Sequence, residues 1–261
     1  MEIPLFPLHT VLCPGIVLPL HVFEERYRAM TRRCLDTGDP FGVVLIRDGR
    51  EIGSKGVATL AGVGAFAEIR EAGRYPDGRY DLLAAATGRF AIESVDARKE
   101  PYLVAEVTAL DDEVGDEERA EQLAAVAIRR FVRYLDLMRA REGESAEVLD
   151  IRVEIEAAQA DADAGDYDPR ATAEPQITSA ESSPPTRTDL GIPDDPTVLS
   201  YLLSGIVQAE SPRRQMLLEA ETTVGRLEGL ITLLERELVL LRSRLRYFAP
   251  DPGQVGGPRR S

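Results

Sequence analysis

The chain of 261 residues has no tryptophan, two histidines and two cysteines, and only two of its 31 basic residues are lysines. Each shortage excludes something. Two cysteines, Cys13 and Cys34, cannot build a disulfide framework, so a reducing cytoplasm is the expected compartment. A zinc site would have to use His9, Cys13, His21 and Cys34, whose spacing contains no Cys-x-x-Cys pair and fits no compact zinc module. No Gly-x-x-x-x-Gly-Lys-Ser/Thr string occurs to hold phosphates, and Gly53-Ser54-Lys55-Gly56 reads as a turn before a strand. The Gly-x-Ser-x-Gly elbow of serine hydrolases is also missing. A Ser–Lys dyad would depend on Lys55 or Lys99, and neither lies in a context that would desolvate its amine. The expectation is therefore a non-enzyme with no metal and no cofactor. Without tryptophan, an aromatic cage for a small molecule is disfavoured as well.

Long apolar runs are absent, so no membrane partner is expected. Met1 to Leu20 is rich in Leu, Ile and Val, but it has no basic start, and Pro4, Pro7, Pro14 and Pro19 interrupt it. That pattern argues against a secretory signal.

Acidic residues, by contrast, are plentiful. The formal net charge is −14, with 45 acidic residues, which repels a phosphate backbone unless the arginines gather on one face. Much of the excess falls in residues 143–190, which carry twelve Asp or Glu and three Arg, a net −9. This stretch is poor in aromatics and reads as an acidic, largely disordered insertion, with residues 249–261 as a disordered tail.

Residues 1–112 alternate short apolar runs with glycine-rich turns, as a small antiparallel β domain does. Expected strands are Phe41–Ile46, Val57–Arg70, Tyr80–Val95 and Tyr102–Leu110. Pro76-Asp77-Gly78 predicts a hairpin turn between the second and third. Gly62, Gly64 and Gly88 suggest the bends that closing a barrel requires. One helix interrupts the strands, with Phe23, Tyr27, Met30 and Cys34 on one stripe and Gly38 and Pro40 ending it.

From Asp116, a helix cap, the pattern turns helical: Leu123, Val126, Ala127, Phe131, Tyr134, Leu135 and Met138 share a face running to about Arg141. Asp194-Asp195-Pro196 opens a second helix and Ser211-Pro212 a third, the latter carrying Met216 and Leu217. The last runs from about Thr223 to Tyr247, with Leu227, Leu230, Leu234, Leu238, Leu241, Leu245 and Phe248 three or four apart. Such a stripe suits the core of a bundle or a coiled-coil contact with a second copy. The domains expected are 1–112, 113–142 together with 191–248, and the insertion and tail.

The opening, Ile3-Pro-Leu-Phe-Pro-Leu-His-Thr-Val-Leu-Cys-Pro-Gly-Ile-Val-Leu-Pro-Leu-His-Val-Phe-Glu-Glu-Arg-Tyr-Arg28, resembles that of Lon amino-terminal domains. The likeness continues through Phe41–Ile46, Glu51–Gly53, Gly78–Leu83, Gly88–Phe90 and Pro101–Val107. It resumes at Gln215–Ala220, Arg226–Glu228 and Leu233–Leu238. Cys13 departs from the pattern, standing where the family usually has a large apolar residue.

The resemblance implies an α+β fold: a PUA-like small β-barrel with one inserted helix, followed by a C-terminal helical bundle. It also implies a free-standing, non-catalytic module that recognises unfolded or degron-bearing polypeptides in protein quality control, since the chain stops where a full Lon protease would begin its ATPase. A protease is an expected partner, and self-association through the Leu227–Phe248 helix another. Prolines and aliphatics at a barrel rim offer apolar surface and unpaired backbone groups to an extended peptide. On that ground Leu12, Pro14 and Ile16, in the Pro-Gly loop, are the expected peptide-binding residues. PUA-like barrels of other families bind RNA, the alternative reading, and a cryptic hydrolase is a third. Net acidity and the lack of a basic-aromatic patch weigh against RNA.

Overall fold

The computed structural model describes residues 1–48, 59–142 and 193–248, all of which fall in one structural unit. In chain order the elements are β1 (Glu2–Leu8), β2 (Val17–Val22), α1 (Glu25–Thr37), β3 (Phe41–Asp48), β4 (Thr59–Leu60), β5 (Val63–Arg74), β6 (Tyr80–Asp96), β7 (Val104–Leu110), α2 (Glu117–Glu142), α3 (Pro196–Ile206), α4 (Ser211–Glu219) and α5 (Thr223–Phe248). The fold is thus a mixed sheet followed by helices. The readings of residues 143–190 and 249–261 as disordered lie outside the described residues.

Hydrogen bonding runs β1–β7–β6–β5–β3 and returns from β3 to β1 through a parallel pairing, a closed circuit of five strands. Strand β4 adds to β3, and β2 adds to β6 outside the circuit. The 17 residues of β6 make this possible. Their first half pairs with β2 and their second with β7, while β5 lies along both. Register shifts at Phe66/Ala67, Ile69/Glu71 and Ile92/Ser94 bend the ladders between those partners. Two glycines let the sheet curve tightly over Phe90. A Cβ on Gly42 would lie 2.7 Å from the Phe90 ring, and one on Gly64 would lie 2.5 Å from it.

Strands β1 and β2 are not among the expected strands, and both contain prolines, which a sheet interior disfavours. The ladder explains how they are tolerated. Leu5 N–H bonds to Leu103 O at 2.8 Å and Val107 N–H to Met1 O at 2.8 Å, so odd-numbered residues of β1 face β7. Pro4 therefore faces the β3 side, ahead of the first β1–β3 pair at Leu5, and Pro7 faces β7 beyond the last of those bonds. Neither ladder is deprived of a donor. The expected strand Val57–Arg70 proves to be two, β4 and β5, separated at Ala61-Gly62, with β5 continuing to Arg74.

The predicted hairpin turn forms: Gly78 N–H reaches Tyr75 O at 2.9 Å, with Gly78 at φ 84°. Helix α1 buries Tyr27, Met30, Thr31 and Cys34 and ends at Gly38, whose φ of 73° lets its N–H reach Cys34 O. Phe23 does not join that stripe. It precedes the helix and is 62% exposed, because the position it would pack against in the first turn is Arg28, not an apolar residue.

The helices share a second core. Ala127, Phe131, Tyr134 and Met138 of α2 meet Leu199 and Leu203 of α3, Leu217 of α4, and Leu227, Leu230, Leu234, Leu238 and Leu241 of α5. The caps follow the sequence. Asp116 accepts from Arg119 N–H at 2.8 Å, and Asp195 accepts from Thr197 N–H at 2.6 Å with Pro196 in the first turn. Met216 is 69% exposed, and Leu217 and Leu218 do the packing of α4.

Strands and helices are joined by a buried polar seam. Arg226 is fully buried, its guanidinium 3.6 Å from the Tyr201 ring centroid, and it donates to Tyr201 Oη at 2.6 Å and Ser200 Oγ at 3.0 Å. Arg89 of β6 donates to the carbonyls of Leu218 and Ala220, closing the open end of α4. Both guanidinium groups reach Asp112, which also accepts from the Tyr201 hydroxyl. Two buried cations thus share one partly exposed carboxylate.

Candidate functional site

The Pro-Gly loop forms as its residues dictate but is not an open surface. Pro14 and Gly15 are the central residues of a turn in which Ile16 N–H bonds to Cys13 O at 3.1 Å, and Gly15 takes the positive φ of 79°. Gly15 N–H then donates to Ala86 O while Ala86 N–H donates to Ile16 O, a bulge that feeds the chain into β2. Leu12 and Pro14 are buried and Ile16 is half-buried. Ile16 sits against Gly205 of α3, where any side chain would collide with it. Arg214 of α4 ties the loop down, donating to Val11 O at 2.9 Å and to Gly205 O at 3.1 Å. Of the three residues singled out in the sequence, then, two are buried, Leu12 in the core that the strands share with α1. The third, Ile16, is held at the loop's flank by α3, and α4 holds the Val11 carbonyl beside it.

Exposed apolar surface lies instead at the other end of β2. There His21, Phe23 and Tyr75 come together, with ring centroids 6.3 Å apart for His21–Phe23 and 6.0 Å for His21–Tyr75. Asp81, opposite His21 on β6, organises the group. It lies 2.6 Å from His21 Nδ1 and accepts from the Tyr75 hydroxyl at 2.5 Å. The hydrogen bond from Tyr75, followed by that from His21, holds the Asp81 carboxyl below the ordinary carboxylate range, and the same bond raises Tyr75. Arg79 lies 5.2 Å from the Tyr75 ring centroid, bonds to Asp77 at 2.7 Å and approaches His21 Nε2 at 3.4 Å. A guanidinium only donates, so Nε2 accepts and the imidazole proton sits on Nδ1 toward Asp81. The polar groups of the cluster satisfy one another. Phe23 stays 62% exposed and Tyr75 39%, and that aromatic surface is better matched to apolar side chains than to an anion.

His21 and Asp81 do not make a catalytic dyad, because the free imidazole nitrogen meets Arg79 and not a hydroxyl or thiol. Cys13 and Cys34 lie in different cores, and burial pushes each thiol up to about 11. Among the described residues no three His, Cys, Asp or Glu gather as metal ligands, and no helix is long and apolar enough to cross a membrane. The leucine stripe of α5, considered as a contact for a second copy, is buried within the chain from Leu227 to Leu241. Val239 and Leu240 remain exposed beside it.

Residues 2–236 match the family profile of the ATP-dependent protease La (LON) substrate-binding domain. The Lon protease of Brevibacillus choshinensis is 23% identical over 248 residues, 94% of this chain and 26% of that protein. The Lon protease of Escherichia coli K12 is 24% identical over 93% of this chain and 26% of its own length. That of Porphyromonas gingivalis is 31% identical over 42% of this chain and 13% of its own. The chain thus spans about a quarter or less of the Lon proteases it matches. Among solved structures, a Lon N-terminal domain protein from Xanthomonas campestris superposes with a TM-score of 0.54 at 24% identity, covering 89% of this chain and 98% of that one. The N-terminal domain of the Mycobacterium avium complex Lon protease gives 0.55 at 18% identity, covering 90% and 98%.

Proposed function

The chain belongs to the Lon substrate-binding domain family, and from that premise we propose that it is a non-catalytic polypeptide-binding module acting in cytoplasmic protein quality control. Its ligands are unfolded or degron-bearing polypeptides, and a protease is the partner that would receive them. In this reading the closed circuit of strands is a PUA-like barrel spanning residues 1–112. The helices of 113–142 and 191–248 form a helical bundle that follows it, and the acidic stretch 143–190 is an insertion.

The observation that carries the proposal is the exposed group of Phe23, His21 and Tyr75, whose polar atoms are already satisfied among themselves. Rigid ring faces bury apolar area at little entropic cost, which suits many sequences and fixes none. Leu12, Pro14 and Ile16 serve such a site from beneath, by setting where β2 begins. Self-association, if it uses α5, falls to Val239 and Leu240, since the leucine stripe is occupied.

Titration of a denatured protein and of mixed RNA at two salt concentrations tests this reading. Polypeptide binding in the micromolar range or weaker, persisting at raised salt, is expected, because apolar burial is not screened as charge pairs are. RNA binding that falls steeply with salt, without polypeptide binding, sinks the proposal.

A further inference from the structure

Strand β2 lies at an edge of the described sheet. Among the described residues it pairs with β6 alone, and its other edge carries no named strand. Which backbone groups that edge presents follows from one bond. Ala86 N–H donates to Ile16 O, so Ile16 and Ala86 face each other through hydrogen bonds. Alternation along an antiparallel ladder then turns Leu18, Leu20 and Val22 toward β6 and leaves Val17, Pro19 and His21 facing outward. The free edge offers the carbonyls of Val17, Pro19 and His21 and the N–H groups of Val17 and His21. Pro19 offers no N–H.

The same alternation sets the side chains. Leu18 and Leu20 pack on the core but stay half-buried, showing apolar surface beside the free edge. Pro19 and His21 lie on the opposite, exposed face. A chain laid along the edge would cover Leu18 and Leu20 with every second side chain, and it would meet the exposed ring of Phe23 where β2 ends.

We propose that the free edge of β2 binds an extended polypeptide by strand addition, with Val17 and His21 as the donors and alternate apolar side chains of the ligand covering Leu18 and Leu20. This mode rests on the polypeptide-binding reading and deepens it. Five backbone groups spaced as in a ladder are complementary to an extended backbone, and the half-covered leucines ask for apolar residues at a period of two. That is the pattern of a sheet strand released by unfolding. Pro19 speaks against a second copy as the occupant. Symmetric antiparallel pairing of β2 with itself about Pro19 would set two prolines opposite each other at its centre, with no donor between them, whereas a foreign strand forgoes one bond. Pro19 also explains why an edge left open need not self-associate.

The test uses the whole protein and a fluorescent ten-residue peptide alternating valine and threonine, with lysines at its ends. Two further peptides carry N-methyl groups on the valine amides or on the threonine amides. Strand addition predicts that one methylated peptide loses binding by about tenfold or more while the other stays within about twofold, since only one set of N–H groups faces β2. Val17→Pro should weaken binding of the unmethylated peptide several-fold more than Val17→Ala. Pro19→Ala should strengthen it a few-fold by restoring a donor. Unchanged melting temperatures would show the variants folded, and a variant that melts early leaves the N-methyl comparison standing on the wild type. If a denatured protein binds but the two methylated peptides behave alike, strand addition is wrong and the polypeptide-binding reading survives. If neither peptide nor denatured protein binds, both fall. Concentration-dependent dimerisation lost in Val17→Pro would assign the edge to a second copy and overturn the inference.

Discussion

The most instructive residue is Arg226, buried with no exposed surface and placed against Tyr201, Ser200 and the Leu217 carbonyl. Burial, the largest cause, lowers its pKa, yet the group is held by hydrogen bonds on several sides. Because Arg89 shares the same carboxylate, the two ends of the network are not equivalent. Arg226→Met leaves Asp112 with Arg89 and takes one donor each from the Tyr201 and Ser200 hydroxyls and the Leu217 carbonyl, all of which keep another partner, a loss of about 1–3 kcal/mol. Asp112→Ala leaves two buried guanidinium groups uncompensated and should cost more, about 3–5 kcal/mol. Urea unfolding of the two variants checks the order, and a larger loss for Arg226→Met would mean that packing on Tyr201 outweighs the charge balance. Nothing in the sequence around Arg226 sets it apart from Arg236 or Arg242, which carry ordinary exposed or half-buried side chains. Its burial is decided by α3 and β6, elements remote in sequence.

At the scale of the element, α5 shows periodicity and tertiary structure in agreement. Leu227, Leu230, Leu234, Leu238 and Leu241 form one stripe, and α2 and α3 cover it. Leu234→Asp places a carboxylate with no partner in that core and should cost on the order of 3 kcal/mol or more, read as a fall in the urea midpoint. Val239→Asp, on the exposed side, should lie within about 0.5 kcal/mol of the wild type. Equal losses would mean that the exposed side of α5 is itself covered in solution. Strands were harder to read than helices. The prolines of β1 and β2 conceal strands whose missing donors fall where no ladder needs them, and that depends on which partners lie on either side. Phe23 illustrates the converse error: it continues the spacing of Tyr27 and Met30 but precedes the helix that the spacing describes.

For the whole molecule, charge is unevenly distributed along the chain. Residues 143–190 contribute −9 of the formal −14. Composition alone predicts that residues 161–188 have little apolar area to bury, so replacing them with a short flexible linker should leave the melting temperature nearly unchanged. A loss as large as that of Leu234→Asp would make the segment part of the core. The described residues show how strands and helices can share one unit on either side of that stretch. Thr223 N–H bonds to Glu113 O at 2.8 Å and Arg214 holds the Val11 carbonyl, both across long sequence separations.

What the sequence by itself determined is whatever depends on neighbours within a few residues: the caps at Asp116 and Asp195, the turns at Pro14-Gly15 and Pro76-Asp77-Gly78, and the buried stripes of α1 and α5. Cap, turn and stripe each carry their physical cause in adjacent side chains or in a period of 3.6. The tertiary structure alone decided which apolar residues are left in view. Leu12 and Pro14 look like surface in sequence and are buried, Leu12 in the core that the strands share with α1, whereas Phe23 looks like core and is exposed. It also decided that His21, Tyr75 and Asp81 meet, because that requires β2 and the β5–β6 hairpin to be laid side by side in one register. Exposure and edge pairing are properties of the assembled sheet, and no local pattern encodes which edge is left without a partner.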